Sequence, residues 1–525
     1  MEPSCIRQTL LPGTSRLFGD YLYRFDRVAG FYTYHFSDPE ALTAAAKAVH
    51  FPPKRREAMV QALREQNGDS PALAKLSEPG TVAVVTGQQV GLFSGPAYTI
   101  FKALTAVKLA EHLNNLGMPA VPVFWLATED HDLAEVDHAW IFDENATPAK
   151  LSVTSAVVNG GPVGYVAPAE VPLSQLRAAL GNLPFADHVC QKLADAYRPG
   201  VPLGSAFRSF LQDILRGCGL LYLDPLAPAV RAIAADFLME AAERIPELIG
   251  ALRRRNEELT AAGYHAQVHV EDDSSLLFVM GEHKRIALRW KDGQFLARDH
   301  AYTLADLRQW ADRLSPNALL RPVMQDYLLP TAAYIGGPSE TAYMAQGQVL
   351  YEKLLERMPV IFPRNSFTLL DTRAVKLLER NGLCVQQILD YQEKVRGLVA
   401  ARLVPEGLSE DFARRRSELA SSLEDLQSNL LAFDPTLAAA ARKSASKILY
   451  QLDKLSQKTA RESMRRDARA AQDAAYLMDL IYPERHLQER FYSIVPFLAK
   501  HGLDLPSRLL AQTQLACPDH MVRTF

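Results

Sequence analysis

"VVTGQQVGLFSGPAYTIFKALTAVKLAEHL", Val84 to Leu113, decides the fold. The "TVAVVTG" run that starts at Thr81 is short, β-branched and closed by glycine, the pattern of a strand buried on both faces. From Pro96 to Leu113, Tyr98, Phe101, Leu104, Thr105, Lys108 and Leu109 recur at spacings of three and four, which predicts a helix. "NNLGMPAVPVFWLAT" then reads as a turn and a second apolar strand. Strand, helix, strand is a βαβ unit. It starts a doubly wound parallel sheet, where ligands bind beyond the carboxyl ends of the strands.

Outward from that unit the pattern changes several times. Residues before about 75 read as helix and loop, with "PPKRREAMVQALREQNG" closed by Gly68. Between about 140 and 205 Pro, Gly and Val become frequent, the mark of an inserted subdomain. "GLLYLDP" (219–225) is another buried strand. "SSLLFVMGEHKRIALRWKDGQFLARD" alternates around Gly281-Glu282 and Lys291-Asp292-Gly293, predicting an antiparallel meander and a second insertion over 265–300. "YIGGPSETAYMA" and "MPVIFPR" return to strand, turn and helix.

The last third is helical. Phe412, Leu419, Leu423, Leu426, Leu430 and Phe433 suggest one coiled-coil seam, and Leu437, Ala441, Ser444, Ile448, Leu452 and Leu455 a second, with Asp434-Pro435 between. That predicts an antiparallel hairpin whose apolar stripe would seat a second subunit. "PERHLQERFYSIVPFLAKHG" reads as one further amphipathic helix. The expected fold is α/β: a Rossmann-like doubly wound parallel sheet core over 1–372 with two inserted connecting subdomains. A helical coiled-coil domain over 373–482 and a helix and tail over 483–525 follow it.

Bulk properties narrow the function. A length of 525 residues implies several structural units, and 48% hydrophobic with 22% charged residues is ordinary for a soluble protein. The net charge of −3 comes with no dense basic tract, which argues against nucleic acid. The 5 cysteines are scattered with no CxxC pair, as in reduced cytosolic proteins. No signal-like leader and no long uncharged apolar run is present, so the expectation is a cytoplasmic protein with no membrane span.

Three loops carry chemistry. At the first, Thr86, Gly87, Gln88, Gln89, Gly91, Gly95 and Tyr98 surround a strand-to-helix mouth with almost no charge of its own. Glycines admit close backbone approach, and a helix N-terminus offers unpaired amides to an anion. Alternatively, Gly91 and Gly95 only shape a tight turn. The second, with Gly336, Gly337 and Glu340, repeats glycine, proline, helix; Glu340 either caps the helix or receives a substrate amine. The third is "FWLATEDHDLAEVDH", where Glu129, Asp130, His131 and Asp132 follow an apolar strand. His131 suits an acid/base role with carboxylates orienting it. An exposed run that merely caps the next helix is the plainer reading. A metal-dependent hydrolase built on His131, His138 and Asp132 is the alternative enzyme, and a coiled-coil scaffold the non-enzyme. Arg321, Tyr327 and Arg364 lie near predicted strands, where an arginine could bind a carboxylate.

Together "VVTGQQVGLFSGPAYTIFKALTAVKLA", "VPVFWLATEDHD" and "RPVMQDYLLPTAAYIGGPSE" strongly resemble the bacillithiol-biosynthesis cysteine-adding enzyme family, over nearly the whole length. The resemblance implies a ligase that joins the carboxyl of cysteine to the amine of glucosaminyl-malate, and a homodimer through the coiled coil. It also implies a fold similar to class I aminoacyl-tRNA synthetases, although the first helix here opens at "SGPAYT" and no KMSKS occurs. Amide formation from a free carboxylate needs activation, for which ATP with magnesium is the expected agent; the sequence shows no site for it.

Overall fold

The structure is a computed structural model that describes residues 4–153, 160–281, 284–298, 300–390 and 392–525. Five strands form its central sheet: β1 (Val82–Gln88), β2 (Ala120–Leu126), β3 (Leu221–Leu223), β4 (Thr331–Gly336) and β5 (Val360–Pro363). All neighbours are parallel and their spatial order is 5-4-1-2-3. Strand order therefore reverses between β1 and β4, the crevice where open α/β sheets bind ligands. β1 and β2 run in register from Val82 opposite Ala120 to Gln88 opposite Leu126, so their carboxyl ends finish level.

β2 shows why the sheet is buried on both sides. Val121, Val123 and Trp125 pack into one apolar cluster, and Phe124 and Leu126 into a second on the opposite face, as strand alternation requires. The helix α1 (Tyr98–Asn115) joins both clusters, with Ile100, Phe101 and Leu104 in one and Ala106, Leu109 and Leu113 in the other. Such burial of each large side chain contributes roughly 1.5–3 kcal/mol.

The segment between β2 and β3 holds a hairpin (His138–Phe142 with Pro148–Ser152) and three helices up to Ile214. Between β3 and β4 the meander is five-stranded and runs beyond 300, closing with Leu314–Pro316 beside Ser274–Met280. Its Asp292-Gly293 turn is present, with both residues at positive φ, while Glu282 of the other expected turn lies outside the described residues. After β4 comes α2 (Pro338–Leu354), which has proline in its first turn and Gly337 before it.

The coiled-coil hairpin is made of α3 (Glu406–Phe433) and α4 (Pro435–Arg466), with Asp434 capping α4 through the Thr436 and Leu437 amides. Its seam differs from the expected one. Leu423, Leu430, Ala441 and Leu452 are half-buried, and Ala438 is buried. Leu419, Leu426, Phe433, Leu437, Ile448 and Leu455 are instead exposed, Phe433 at 82%. On α4 the small residue Ala438 is buried and Ala441 and Ala445 are half-buried, while the second row of large side chains is exposed. The expected single helix over 483–502 is also broken. A short helix, Gln488–Phe491, and another, Val495–His501, flank an extended stretch that bridges Trp140 at Tyr492 and Pro96 at Ser493.

A separate three-stranded sheet ties distant parts together. His520–Thr524 lies between Ser4–Ile6, antiparallel to it, and Ser366–Leu370, parallel to it.

Candidate functional site

A cavity of about 780 Å³ opens where β1, β2 and β4 end. Its wall joins all three sequence stretches: Gly87, Gln88, Gln89 and Tyr98; Glu129, Asp130 and His131; and Gly337, Ser339 and Glu340. Arg321 and Arg364 line it as well. The two helix openings thus face one space, as the repeated glycine-proline pattern implied. Gly87 has a reason to be glycine here: a Cβ would come within 2.9 Å of the Trp125 carbonyl on the neighbouring strand.

Other expected residues do not reach the cavity. Thr86 is buried and its hydroxyl donates to the Ile335 carbonyl, stitching β1 to β4. Gly91 and Gly95 pack on each other, a Cβ on Gly91 meeting Gly95 Cα at 3.0 Å, and Gly95 has φ of 62°. Tyr197 pins this turn by accepting from the Ser94 amide and donating to the Gly91 carbonyl. These two glycines shape a turn. Gly336 is absent from the wall because its α-carbon faces Glu340 Cβ, 3.3 Å from an added methyl. Asp132 is exposed and caps the short helical turn Leu133–Glu135 through the Ala134 amide. Tyr327 lies under Arg55, whose guanidinium sits 3.4 Å over its ring, away from the cavity.

At the two helix openings two backbone amides are already engaged. The Ala97 N–H donates to the Tyr492 carbonyl at 2.7 Å, and the Gly337 N–H donates to Glu340 Oε2 at 2.8 Å. These two amides are taken up within the protein, and side chains add the charge. Lys102 on α1, only 1% exposed, reaches Glu340 Oε1 at 2.7 Å, Gln88 Oε1 at 3.2 Å and the Gly87 carbonyl. Tyr334 adds a hydroxyl to Glu340 at 2.6 Å. Burial works against the Glu340 charge, yet Lys102, Tyr334 and the Gly337 amide hold its carboxyl below the usual range. Burial likewise pulls the Lys102 ammonium down, with Glu340 opposing. In the wall beside Gly337, Arg364 makes a bidentate, buried pair with Glu489 at 2.6 and 3.0 Å. Arg490 projects beside Tyr98 and has no ion-pair partner among the described residues.

The acidic end is built differently. Glu129 is buried against Arg231 at 2.7 Å, and burial nevertheless raises its pKa. Asp130 accepts from Gln89 Nε2 at 2.7 Å and from the His131 amide. Glu135 accepts from the same Gln89 amide. His131, its side chain 43% exposed, has Nδ1 3.3 Å from Arg285 and its ring beside Phe278. The hydrolase alternative fails on this geometry: His138 pairs with Asp137 at 2.8 Å, Asp132 is a cap, and among the described residues no group of three His, Cys, Asp or Glu could hold a metal.

Sequence reasoning missed Lys102, Arg285, Arg490, Tyr334 and Tyr343, whose hydroxyl in the cavity wall accepts from Arg321 at 3.0 Å. Lys102 had a signal, since it stands four residues after Tyr98 on a helix otherwise apolar on that face. Arg285 and Arg490 come from the inserted meander and from residue 490, which no local pattern connects to the sheet.

The chain matches known proteins over nearly its full length. The family model described as "Bacillithiol biosynthesis BshC, N-terminal Rossmann-like domain" covers residues 1–365, and "Bacillithiol biosynthesis BshC, C-terminal coiled-coil domain" covers 367–525. The chain belongs to the BshC family of bacillithiol biosynthesis. A relative from Solibacter usitatus is 52% identical over 99% of both chains. One from Koribacter versatilis is 36% identical, again over 99% of each. A third, from Salinibacter ruber, is 32% identical over 93% of this chain and 92% of its own. All three carry the name "Putative cysteine ligase BshC". No described helix is long and apolar enough to cross a membrane.

Proposed function

We propose that the chain is a cysteine ligase forming the amide between the carboxyl of cysteine and the amine of glucosaminyl-malate, giving bacillithiol. The observation that carries this reading is the single cavity with an acid-and-imidazole end and an arginine end, in a chain that belongs to the BshC family. Malate brings two carboxylates. Arg490 and Arg321 supply fork-shaped donors for them, and Arg490 has its charge unspent. At the other end Asp130 and Glu135 suit an ammonium group, and His131 is the base that takes the proton from the attacking amine.

The carboxyl must be activated before attack, and ATP with magnesium is the agent we propose. The arginines and half-exposed carboxylates of the cavity are of the right donor type. When bound, the nucleotide supplies the leaving group, while this chain orients both substrates and moves the proton at His131.

We further propose that the protein is cytoplasmic and that a second copy covers the exposed leucine row of the hairpin, giving a homodimer. The exposure of Leu419, Leu426 and Phe433 at seven-residue intervals supports it.

The test supplies purified protein with cysteine, glucosaminyl-malate, ATP and magnesium and detects bacillithiol by mass. His131→Ala should lower kcat by about 10²- to 10⁴-fold with the product unchanged. Absence of product, together with unaltered cellular bacillithiol after gene deletion, would overturn the reading.

A further inference from the structure

Lys102 fixes the direction of a polar chain that ends in the cavity. An ammonium group has three hydrogens and no lone pair. Lys102 gives one each to Glu340 Oε1 at 2.7 Å, to the Gly87 carbonyl and to Gln88 Oε1 at 3.2 Å. The amide oxygen of Gln88 is thereby turned toward the lysine, and its Nε2 donates the other way, to the Tyr98 hydroxyl at 3.0 Å. Tyr98 accepts that bond, so its own hydrogen points elsewhere, and among the described residues it meets no acceptor. Burial raises the Tyr98 pKa, which keeps the hydrogen on the oxygen. Gln88 and Tyr98 both line the cavity. Two guanidinium groups stand by the Tyr98 ring, Arg364 at 5.1 Å and Arg490 at 5.9 Å from its centroid. Glu489 balances the charge of Arg364, so the surplus beside Tyr98 is positive.

We propose that the Tyr98 hydroxyl binds a carboxylate of the acidic substrate, as a donor whose direction Lys102 sets through Gln88. On the ligase reading, on which this rests, that carboxylate belongs to the malyl part of glucosaminyl-malate. Arg490 supplies charge and Tyr98 a directed hydrogen. Because the phenol oxygen already takes a hydrogen from Gln88, the position favours an acceptor on the ligand over an ammonium or a hydroxyl donor. Lys102 and Gln88 act through Tyr98 as positioning residues. Tyr334 and the Gly337 amide hold the Glu340 carboxylate at the head of the chain.

Calorimetric titration of the full chain with glucosaminyl-malate, without nucleotide, tests this. Tyr98→Phe should raise Kd about 10- to 100-fold, the loss of a hydrogen bond to a charged group. Gln88→Glu keeps the side-chain shape but offers Tyr98 an acceptor, so the phenolic hydrogen turns away from the ligand and affinity falls. In the Tyr98→Phe background there is no hydrogen to divert, and Gln88→Glu should cost at least about threefold less there than in the wild type. NMR of tyrosine isotope-labelled at Cζ gives a second reading. Gln88→Glu should move one tyrosine signal in the free protein, and saturating glucosaminyl-malate should move that same signal in the wild type. This comparison needs no Tyr98→Phe protein, so it decides the matter even if that variant misfolds; no signal in common overturns the proposal. Wild-type binding that Tyr98→Phe leaves within about twofold overturns the role of Tyr98 while the ligase reading stands. Equal costs of Gln88→Glu in the two backgrounds overturn the relay. A wild-type chain that does not bind glucosaminyl-malate overturns both the role of Tyr98 and the ligase reading.

Discussion

Glu340→Gln isolates the cost of the buried Lys102 charge. Lys102 is 1% exposed and its one anionic partner is Glu340 at 2.7 Å; the substitution leaves it the Gly87 carbonyl and the Gln88 amide oxygen. Breaking one side of a buried pair costs about 3–5 kcal/mol. The lysine can instead fold neutral, which sets a ceiling. From an unfolded pKa near 10.4 down to pH 7, neutralising it costs about 4.6 kcal/mol at roughly 1.36 kcal/mol per unit. The expected loss at pH 7 is therefore about 3–4.6 kcal/mol. The sign with pH follows from burial, which already pulls the Lys102 pKa down and does so unopposed in the variant. The unfolded chain then binds one more proton than the folded one, so stability rises with pH. Between pH 7 and 9 the variant should recover up to about 2.7 kcal/mol relative to wild type. Urea unfolding followed by tryptophan fluorescence, with Trp125 buried at the cavity wall, measures both quantities. Lys102→Met added to Glu340→Gln should bring stability back toward wild type. A Glu340→Gln protein within 1 kcal/mol of wild type and flat from pH 7 to 9 would refute the reasoning, with about 3 kcal/mol being the least that the buried charge allows.

Arg490→Ala should raise KM for the malate-bearing substrate about 10- to 100-fold with kcat little changed, since a charge-assisted contact is worth about 1.5–3 kcal/mol; steady-state kinetics read this. His520 is buried with its pKa lowered to about 4 by burial. Its contribution to stability is complete above its unfolded pKa near 6.5 and lost as pH falls toward about 4, up to roughly 3.4 kcal/mol. His520→Gln should flatten that acid limb in urea titrations. Leu426→Glu, on the exposed row of the hairpin, should shift sedimentation from dimer to monomer while leaving the helical circular dichroism unchanged.

The sheet was legible because β1, α1 and β2 each carry their own periodicity: six consecutive buried residues, then a helical stripe, then alternating faces. The coiled-coil hairpin was legible as well, since Asp434-Pro435 both ends one helix and caps the next. Its seam was not. Leucines at three- and four-residue spacing fit two adjacent faces, and which face turns inward depends on the alanines of the opposing helix. In the cavity the three loops could be read, because strand ends and glycines are local signals. The long-range side-chain contacts could not. Lys102 with Glu340, Arg364 with Glu489 and Arg285 with His131 lie 238, 125 and 154 residues apart, beyond any local pattern. For that reason the loops appeared short of charge when read alone.

The order of strands in the small sheet bears on how the molecule is made. His520–Thr524 sits in the middle, so Ser4–Ile6 and Ser366–Leu370 cannot pair through it until the ribosome has released residues past 520. Glu489, which neutralises Arg364 at the cavity, also emerges late. Domains generally fold as they are synthesised, N-terminal parts first. Here the Rossmann-type sheet can assemble during translation, but one wall of the ligand cavity holds an unpaired buried arginine until Glu489 is out. A nascent or C-terminally clipped chain would therefore carry the sheet without a finished pocket.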